Sequence, residues 1–382
     1  MATRRRGHGE GSIYRRKDGR WVGVLHVGYG GGRRERKSFY GRTRPEVAAQ
    51  LTAAIRSQQQ GRRPPPEREK VKDFLRHWLN DIARRSVRGT TFVGYERMIR
   101  LHIDPMIGDI RLARLGADDL DKLYAGLLGK GLAPKTVSLV HALLHCALSD
   151  AERRGAVGVN VATHVDPPRV VRREIRTLSA DEAVRLIESS RDDRFHALYV
   201  LALTCGLRQA ELLGLRWQDV NLEDAVLAVR QQVYRLGGEW IYSEPKTAKG
   251  RRTVSLSQMA VTALREHRRC QLEERLKAGA TWEDNDLIFP NHLGRPVEKQ
   301  NLMRRSFRPL LKCAGLPQMR FHDLRHCAAT LLLAEGVHPK VVQERLGHST
   351  IAVTMDVYSH VMPTLQREAA ERLDQLLRAP VR

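Results

Sequence analysis

Residues 321–360 read FHDLRHCAATLLLAEGVHPKVVQERLGHSTIAVTMDVYSH, and the fold turns on how this stretch is read. His322-Asp323-Leu324-Arg325-His326 opens a helix that continues through the apolar run at 328–334. His322 and Arg325, three apart, share one helix face, so an imidazole stands beside a guanidinium, a pair suited to a phosphate and a nearby hydroxyl proton. Leu346-Gly347-His348-Ser349 separates the next two helical segments. Tyr358 follows ten residues beyond His348, in polar company near a helix end where a hydroxyl reaches solvent. Two other readings exist. His322 and His326 approximate an H-E-x-x-H zinc helix, but the second position is Asp323, and Arg325 between the histidines repels a metal. Segments 337–346 and 350–360 also read as a helix-turn-helix that enters a DNA groove without doing chemistry.

Working outward, residues 204–212 (TCGLRQAEL) place Gly206 at a helix end, Arg208 at the junction and Glu211 in the next helix. An arginine held at such a junction aims its fork at a phosphate oxygen. Residues 245–250 (PKTAKG) read as a hairpin turn, on which Lys246 or Lys249 reaches a phosphate and protonates a leaving oxygen. Taken singly, each motif has an ordinary explanation: a surface salt bridge, a solvated lysine, a helix cap, a packing tyrosine.

The rest of the chain sets the context. Its 382 residues, 42% of them hydrophobic, allow two or three domains with cores of their own. No apolar run is long enough to span a bilayer, and MATRRRGHGEGS is not followed by the apolar region of a secretory signal, so the cytosol is the expected address. Five cysteines, odd in number and without a C-x-x-C pair, argue against a zinc ribbon or a disulfide framework and read as small buried residues. The formal charge is +23, and residues 1–66 alone hold 16 Lys and Arg against 4 Asp and Glu. Such a field calls for a polyanion, and nucleic acid is favoured over an acidic membrane face.

Strands are expected at 12–15, 21–27 and 36–40, with the glycines of 28–32 as a hairpin tip and a helix over 44–59. The glycine run is no dinucleotide loop, because Arg33 stands where the third glycine belongs. Gly61-Arg62-Arg63-Pro64-Pro65-Pro66 marks a linker. Val71, Phe74, Leu75, Trp78, Leu79 and Ile82 then fall on one helical stripe. A second helix carries Tyr95, Met98, Ile99 and His102 and ends at Asp104-Pro105; a third carries Leu120, Leu123, Tyr124, Leu127 and Leu128; a fourth spans 135–154. Arg84, Arg85, Arg88, Lys130 and Lys135 lie at the ends of these helices, where phosphate contacts are easiest. Ser179 and Glu182 form a capping box before an apolar helix at 195–204. Strands are expected at 225–233 and 252–256, and everything from 257 to 377 reads as helical. Leu365, Ala369, Leu373 and Leu376 form a final stripe suited to docking on a neighbouring subunit.

In order and spacing these motifs resemble the active-site series of the tyrosine recombinases. Residues 204–212 resemble that family's TGLRxxEL box, 322–326 its HDLRH box, and 346–360 its LGHSxxxxTxxxYSH box. The resemblance implies a multidomain chain, mainly α with small β-sheets. Its domains are an arm-type DNA-binding domain at 1–62 (a three-stranded sheet plus a helix), a helical core-binding domain at 68–170 and an α+β catalytic domain at 175–382. It implies Arg208 and Arg325 as paired arginines, His322 and His348 as the two active-site histidines, and Tyr358 as the nucleophile. Lys246 is the general acid, with Lys249 second. The implied activity is that of a site-specific integrase that forms a 3′-phosphotyrosine while integrating or excising a mobile element, with neither cofactor nor metal. Expected partners are double-stranded attachment sites, three further copies in a synaptic homotetramer, and a directionality factor or host DNA-bending protein, with no membrane. The main alternative is a non-enzymatic helix-turn-helix regulator. A zinc hydrolase leaves the charge unexplained, and a relaxing topoisomerase differs mainly in whether partner strands are exchanged.

Overall fold

The computed structural model describes residues 12–30, 33–59, 68–171, 176–245, 247–358 and, beyond these, 370, 371, 374, 377 and 378, with Tyr358 described through its backbone alone. Lys246, the 61–66 linker and the stripe of Leu365, Ala369, Leu373 and Leu376 lie outside the described residues. The chain divides into two units, Met1–Arg172 and Arg173–Arg382.

In the first unit β1 (Ser12–Arg15), β2 (Trp21–Gly30) and β3 (Arg33–Gly41) form an antiparallel sheet in that order. Val22 and Leu25 are buried, as are Val47 and Leu51 of α1 (Arg44–Gln59), which packs on β2. The expected glycine tip at 28–32 is shorter than that. After a register shift between His26 and Gly28 the ladder runs on to Gly30↔Arg33, because strand pairing uses the backbone and needs no side chain there.

The helical part opens with α2 (Val71–His77), which continues as a π turn (Trp78–Ile82) and a 3₁₀ turn (Ala83–Arg85). Next, α3 (Gly89–Met98) continues as a π turn (Ile99–Ile103) into α4 (Asp104–Ile107), and α5 (Ala117–Gly129) and α6 (Pro134–Arg153) complete the bundle. The expected stop at Asp104-Pro105 is therefore overturned. Pro105 stands directly after the π turn, where the hydrogen-bond register of the helix already changes and a residue without an N–H interrupts it least. Trp78, Leu120, Leu123, Leu143 and Leu144 are fully buried, and the indole Nε1 of Trp78 donates to Asp150 Oδ2 at 2.7 Å.

The second unit begins with α7 (Ala180–Ser189). Ser179 Oγ accepts from Glu182 N at 3.2 Å while Glu182 Oε2 accepts from Ser179 N at 3.1 Å, the capping box expected from the sequence. In α8 (His196–Thr204) every residue from 197 to 203 is buried, which suits a helix apolar on all sides. After α9 (Gln209–Leu213) come β4 (Val220–Asn221), β5 (Val226–Val229), β6 (Gln232–Leu236), β7 (Glu239–Ser243) and β8 (Arg252–Ser255). They form one sheet of order β4-β5-β8 and a separate β6-β7 hairpin.

Two expectations fail here. The stretch 225–233 is not one strand: it divides after Val229 between two sheets. Residues 245–250 are not a hairpin tip, since β7 and β8 belong to different sheets and the connection ends in a 3₁₀ turn, Ala248–Gly250. The true hairpin turns at Gly237-Gly238, both at positive φ (60° and 94°), a Gly-Gly signal that the alternation of apolar residues does not register.

Next come α10 (Gln258–Ala278), α11 (Lys299–Leu302), a π turn (Met303–Phe307), α12 (Arg308–Cys313), α13 (Asp323–Ala334), α14 (Pro339–Leu346) and α15 (Ile351–Tyr358). The all-helical expectation fails between α10 and α11, where Arg216↔Leu287 and Pro290↔Pro296 bridges and the positive φ of Gly294 stand in place of a helix. Of the five free cysteines only Cys205 and Cys327 are buried; Cys146, Cys270 and Cys313 occupy exposed positions on α6, α10 and α12, contrary to expectation. Among the described residues no helix is long and apolar enough to cross a membrane.

Candidate active site

The site is assembled around the C-terminal end of α14. Gly347 closes that helix in the left-handed conformation (φ 68°, ψ 45°). A Cβ at this position would stand 2.7 Å from the Lys249 carbonyl oxygen and 3.1 Å from the Arg252 side chain, so only glycine fits. Three successive carbonyls at this end each accept from a different arginine. Arg252 Nε donates to Arg345 O at 2.7 Å, Arg325 Nη2 to Leu346 O at 2.6 Å, and Arg208 Nη2 to Gly347 O at 3.2 Å. These carbonyls have no partner inside the helix and carry the negative end of its dipole, which favours cations.

Each arginine has a second anchor. Arg208 caps α9: its N donates to Glu211 Oε2 at 3.0 Å and its Nη1 to Glu211 Oε1 at 2.6 Å. Arg325, on the first turn of α13 and 3% exposed, gives Nη1 to Gly206 O at 2.7 Å. Gly206 takes φ 61°, and a Cβ there would overlap the Leu346 side chain, so the chain turns under Arg325 only through glycine. Arg345 in turn donates Nη2 to Thr204 O at 2.9 Å, tying α14 back to the end of α8. Burial and then the neighbouring Arg208 charge push Arg325 down to about 9, which leaves it protonated at neutral pH.

Both histidines are held neutral. His348 is buried, with Nδ1 2.9 Å from Thr354 Oγ1 of α15, and its carbonyl accepts from Gln343 Nε2 at 3.3 Å. Burial, then Arg325, Arg208, His326 and Arg252, push its imidazole down to about 3. When Thr354 donates to Nδ1, Nε2–H remains free to donate elsewhere. His322 precedes the first residue of α13 and reaches solvent on one side. Desolvation on its inner side, then His326, Arg325 and Arg208, push it down to about 4. Its ring meets His326 edge-on at 5.2 Å, and among the described residues no cluster of three or more His, Cys, Asp or Glu is placed to hold a metal.

Of the residues predicted from sequence, Arg208, Arg325, His322 and His348 converge here. Lys249 adjoins them, with Nζ donating to Ser349 O at 2.9 Å. Lys246 lies outside the described residues. Tyr358 contributes a backbone position on α15, one turn beyond Thr354, and α15 packs on α13 and α14. Sequence reasoning missed Arg252. It sits on β8 in the same inward phase as buried Val254, and a charge at an inward strand position was the available signal.

Two family models match this chain: the phage integrase family over residues 176–364, and the phage integrase N-terminal SAM-like domain over 70–128. A tyrosine recombinase XerC-like protein of Caldanaerobacter subterraneus is 31% identical over 360 residues, covering 89% of this chain and 92% of that protein. Among solved structures, the Tn1549 transposon integrase in complex with a circular intermediate DNA gives a TM-score of 0.67 at 23% identity, covering 80% of this chain and 99% of that one. A lambda integrase tetramer bound to a Holliday junction gives 0.57 at 18% identity, covering 92% and 96%. At such identities the likeness is one of fold.

Proposed function

The chain belongs to the phage integrase family of tyrosine recombinases, enzymes of DNA strand exchange, and we propose that Tyr358 is its nucleophile and Arg208, Lys246, His322, Arg325 and His348 its other catalytic residues. Membership sets aside the helix-turn-helix regulator: α14 and α15 are two helices joined at Gly347, but they belong to the segment matched by the integrase model. The observation that carries the assignment is the convergence of Arg208 and Arg325 on adjacent carbonyls, 346 and 347, next to His348.

In this reading the Tyr358 oxygen attacks phosphorus and the bond to the 5′ oxygen breaks. A phenol with a pKa near 10 needs a base, and His322, neutral above about pH 4, accepts its proton. Arg208 and Arg325 bind the non-bridging oxygens as charge builds on them, and His348 donates to one of the same oxygens. Lys246 protonates the leaving 5′ oxygen. Lys249, whose Nζ is engaged by Ser349, is the second candidate. The 3′-phosphotyrosine conserves the bond energy, and a 5′ hydroxyl of a partner strand reverses the reaction to join new ends.

Duplex attachment sites are the substrate in this proposal, and four copies assemble at the synapse, as in the lambda integrase tetramer. A directionality factor or DNA-bending protein would act on that assembly. The formal charge of +23 supports a binding constant that falls steeply with salt.

The test is a suicide duplex carrying the attachment site recovered from DNA flanking the gene. A covalent protein–DNA band on a denaturing gel, absent in Tyr358→Phe and unchanged by chelator, is expected. A Tyr358→Phe protein that still forms the band overturns the assignment.

A further inference from the structure

We infer that Arg252 is a positioning residue for strand cleavage: through Glu211 it fixes the guanidinium of Arg208, and through the end of α14 it fixes the segment that carries His348. The inference rests on the roles proposed above for Arg208 and His348. Its basis is geometric. Arg252 gives one nitrogen to each of three segments: Nη2 to Glu211 Oε2 at 3.1 Å, Nε to Arg345 O at 2.7 Å and Nη1 to Gly250 O at 3.0 Å. No other described side chain joins the Arg208–Glu211 turn, the lysine-bearing connection and the α14 terminus at once.

Glu211 is the middle of the relay. Its side chain is 1% exposed and that of Arg252 7%, so water does not exchange for either partner. Oε1 holds the Arg208 guanidinium and Oε2 holds both the Arg208 amide and Arg252. Burial alone would push the Glu211 carboxyl up, but Arg252 and then Arg208 outweigh it and keep the group ionised. Removing Arg252 leaves this carboxylate with one guanidinium instead of two and Oε2 with the Arg208 amide alone, so the carboxylate, and Arg208 with it, is held less tightly. A buried pair of this kind adds little stability over an apolar replacement; what it supplies is a single geometry. The fork is essential to that task. An ammonium keeps the charge but cannot meet three acceptors arranged around a planar group. All three nitrogens of Arg252 are engaged by protein oxygens, whereas Arg208 and Arg325 commit only their two Nη atoms, which separates the role of Arg252 from theirs.

The experiment compares two suicide duplexes that differ only at the scissile position, one with the phosphodiester and one with a methylphosphonate. The neutral methyl removes one of the charges that the arginines stabilise, so a misplaced Arg208 matters less on that duplex. Arg252→Lys is expected to lower single-turnover cleavage of the phosphodiester by roughly 10- to 100-fold, the cost of an ångström-scale misplacement, and to lower methylphosphonate cleavage far less. DNA affinity and the melting transition should stay near those of the parent. An equal fall on both duplexes, or no fall on either, overturns the inference. Should Arg252→Lys lose its melting transition, Glu211→Gln carries the same comparison, because the relay runs through that carboxylate: selective loss supports the inference and uniform loss overturns it. A parent protein that forms no covalent band on the phosphodiester overturns the functional reading itself, an outcome separate from both.

Discussion

The bundle of residues 71–153 and the end of α14 are held together by opposite means. In the bundle, Leu120, Leu123, Leu143 and Leu144 are packed side by side out of water, while polar links such as those of Lys70 and Lys72 with Asp109 lie on the surface. At the end of α14 the linking groups are themselves buried charges: Arg252 on Glu211, Arg325 on two carbonyls. Apolar packing tolerates a change of shape at a graded cost, whereas a buried charge that loses its partner has no graded alternative. One region therefore supplies stability and the other fixes positions.

The sharpest attempt to break this contrast is Glu211→Ala. It strands Arg252 and Arg208 together, and equilibrium unfolding should report a loss of about 3–5 kcal/mol, with covalent complex formation abolished. Leu144→Ala in the bundle should cost a similar about 2–5 kcal/mol in the same measurement. Its single-turnover cleavage per folded molecule should stay within twofold of the parent, roughly 0.4 kcal/mol. If Leu144→Ala slows cleavage as Glu211→Ala does, the contrast fails. Gly347→Ala forces a Cβ into the left-handed position and against the Lys249 carbonyl oxygen. A loss of about 1–2 kcal/mol is expected for the backbone alone, with a clear fall in cleavage because His348 follows directly.

The pH dependence is smaller and its sign is fixed. An unfolded chain protonates His348 near pH 6.5, whereas the folded chain, with Arg325, Arg208, His326 and Arg252 around it, does so only near 3. Between those values the unfolded state binds more protons, so stability falls as pH drops below about 6.5. The melting temperature of the parent should drop more steeply from pH 7 to 5 than that of His348→Gln; parallel slopes would remove His348 from the account. Smallest of all, Asp109→Asn on the bundle surface should leave the melting temperature unchanged, since its lysine partners are solvated and screened.

The same contrast explains what the sequence discloses. The bundle is legible because its cause is periodic: Val71, Phe74, Leu75, Trp78 and Leu79 recur at helical spacing, and the structure buries all five. The Ser179 capping box is legible because both partners lie within four residues. What escapes is of two kinds. The π turn at 99–103 and the separation of β7 from β8 depend on which neighbours compete for the backbone, which no local window contains. Arg252 escapes because the partners that define its task are 41 and 93 residues away, and its inward place on β8 marks it only as buried. Arg208 and Arg325 carry local signals, a helix junction and a helix face shared with His322, but only the order and spacing of the whole series joins them and His348 in one site.

The end of α14 also sets a schedule. Arg208 waits 139 residues for the carbonyl of Gly347, and Arg252 waits 93 for that of Arg345. At about 5–20 residues per second, the first wait lasts on the order of ten seconds, during which a ribosome-bound chain has Arg208 but not the α14 end on which it converges with Arg325. Whatever the earlier segments grip meanwhile, the emerging polypeptide is unarmed: the clamp closes only once α14 has been made.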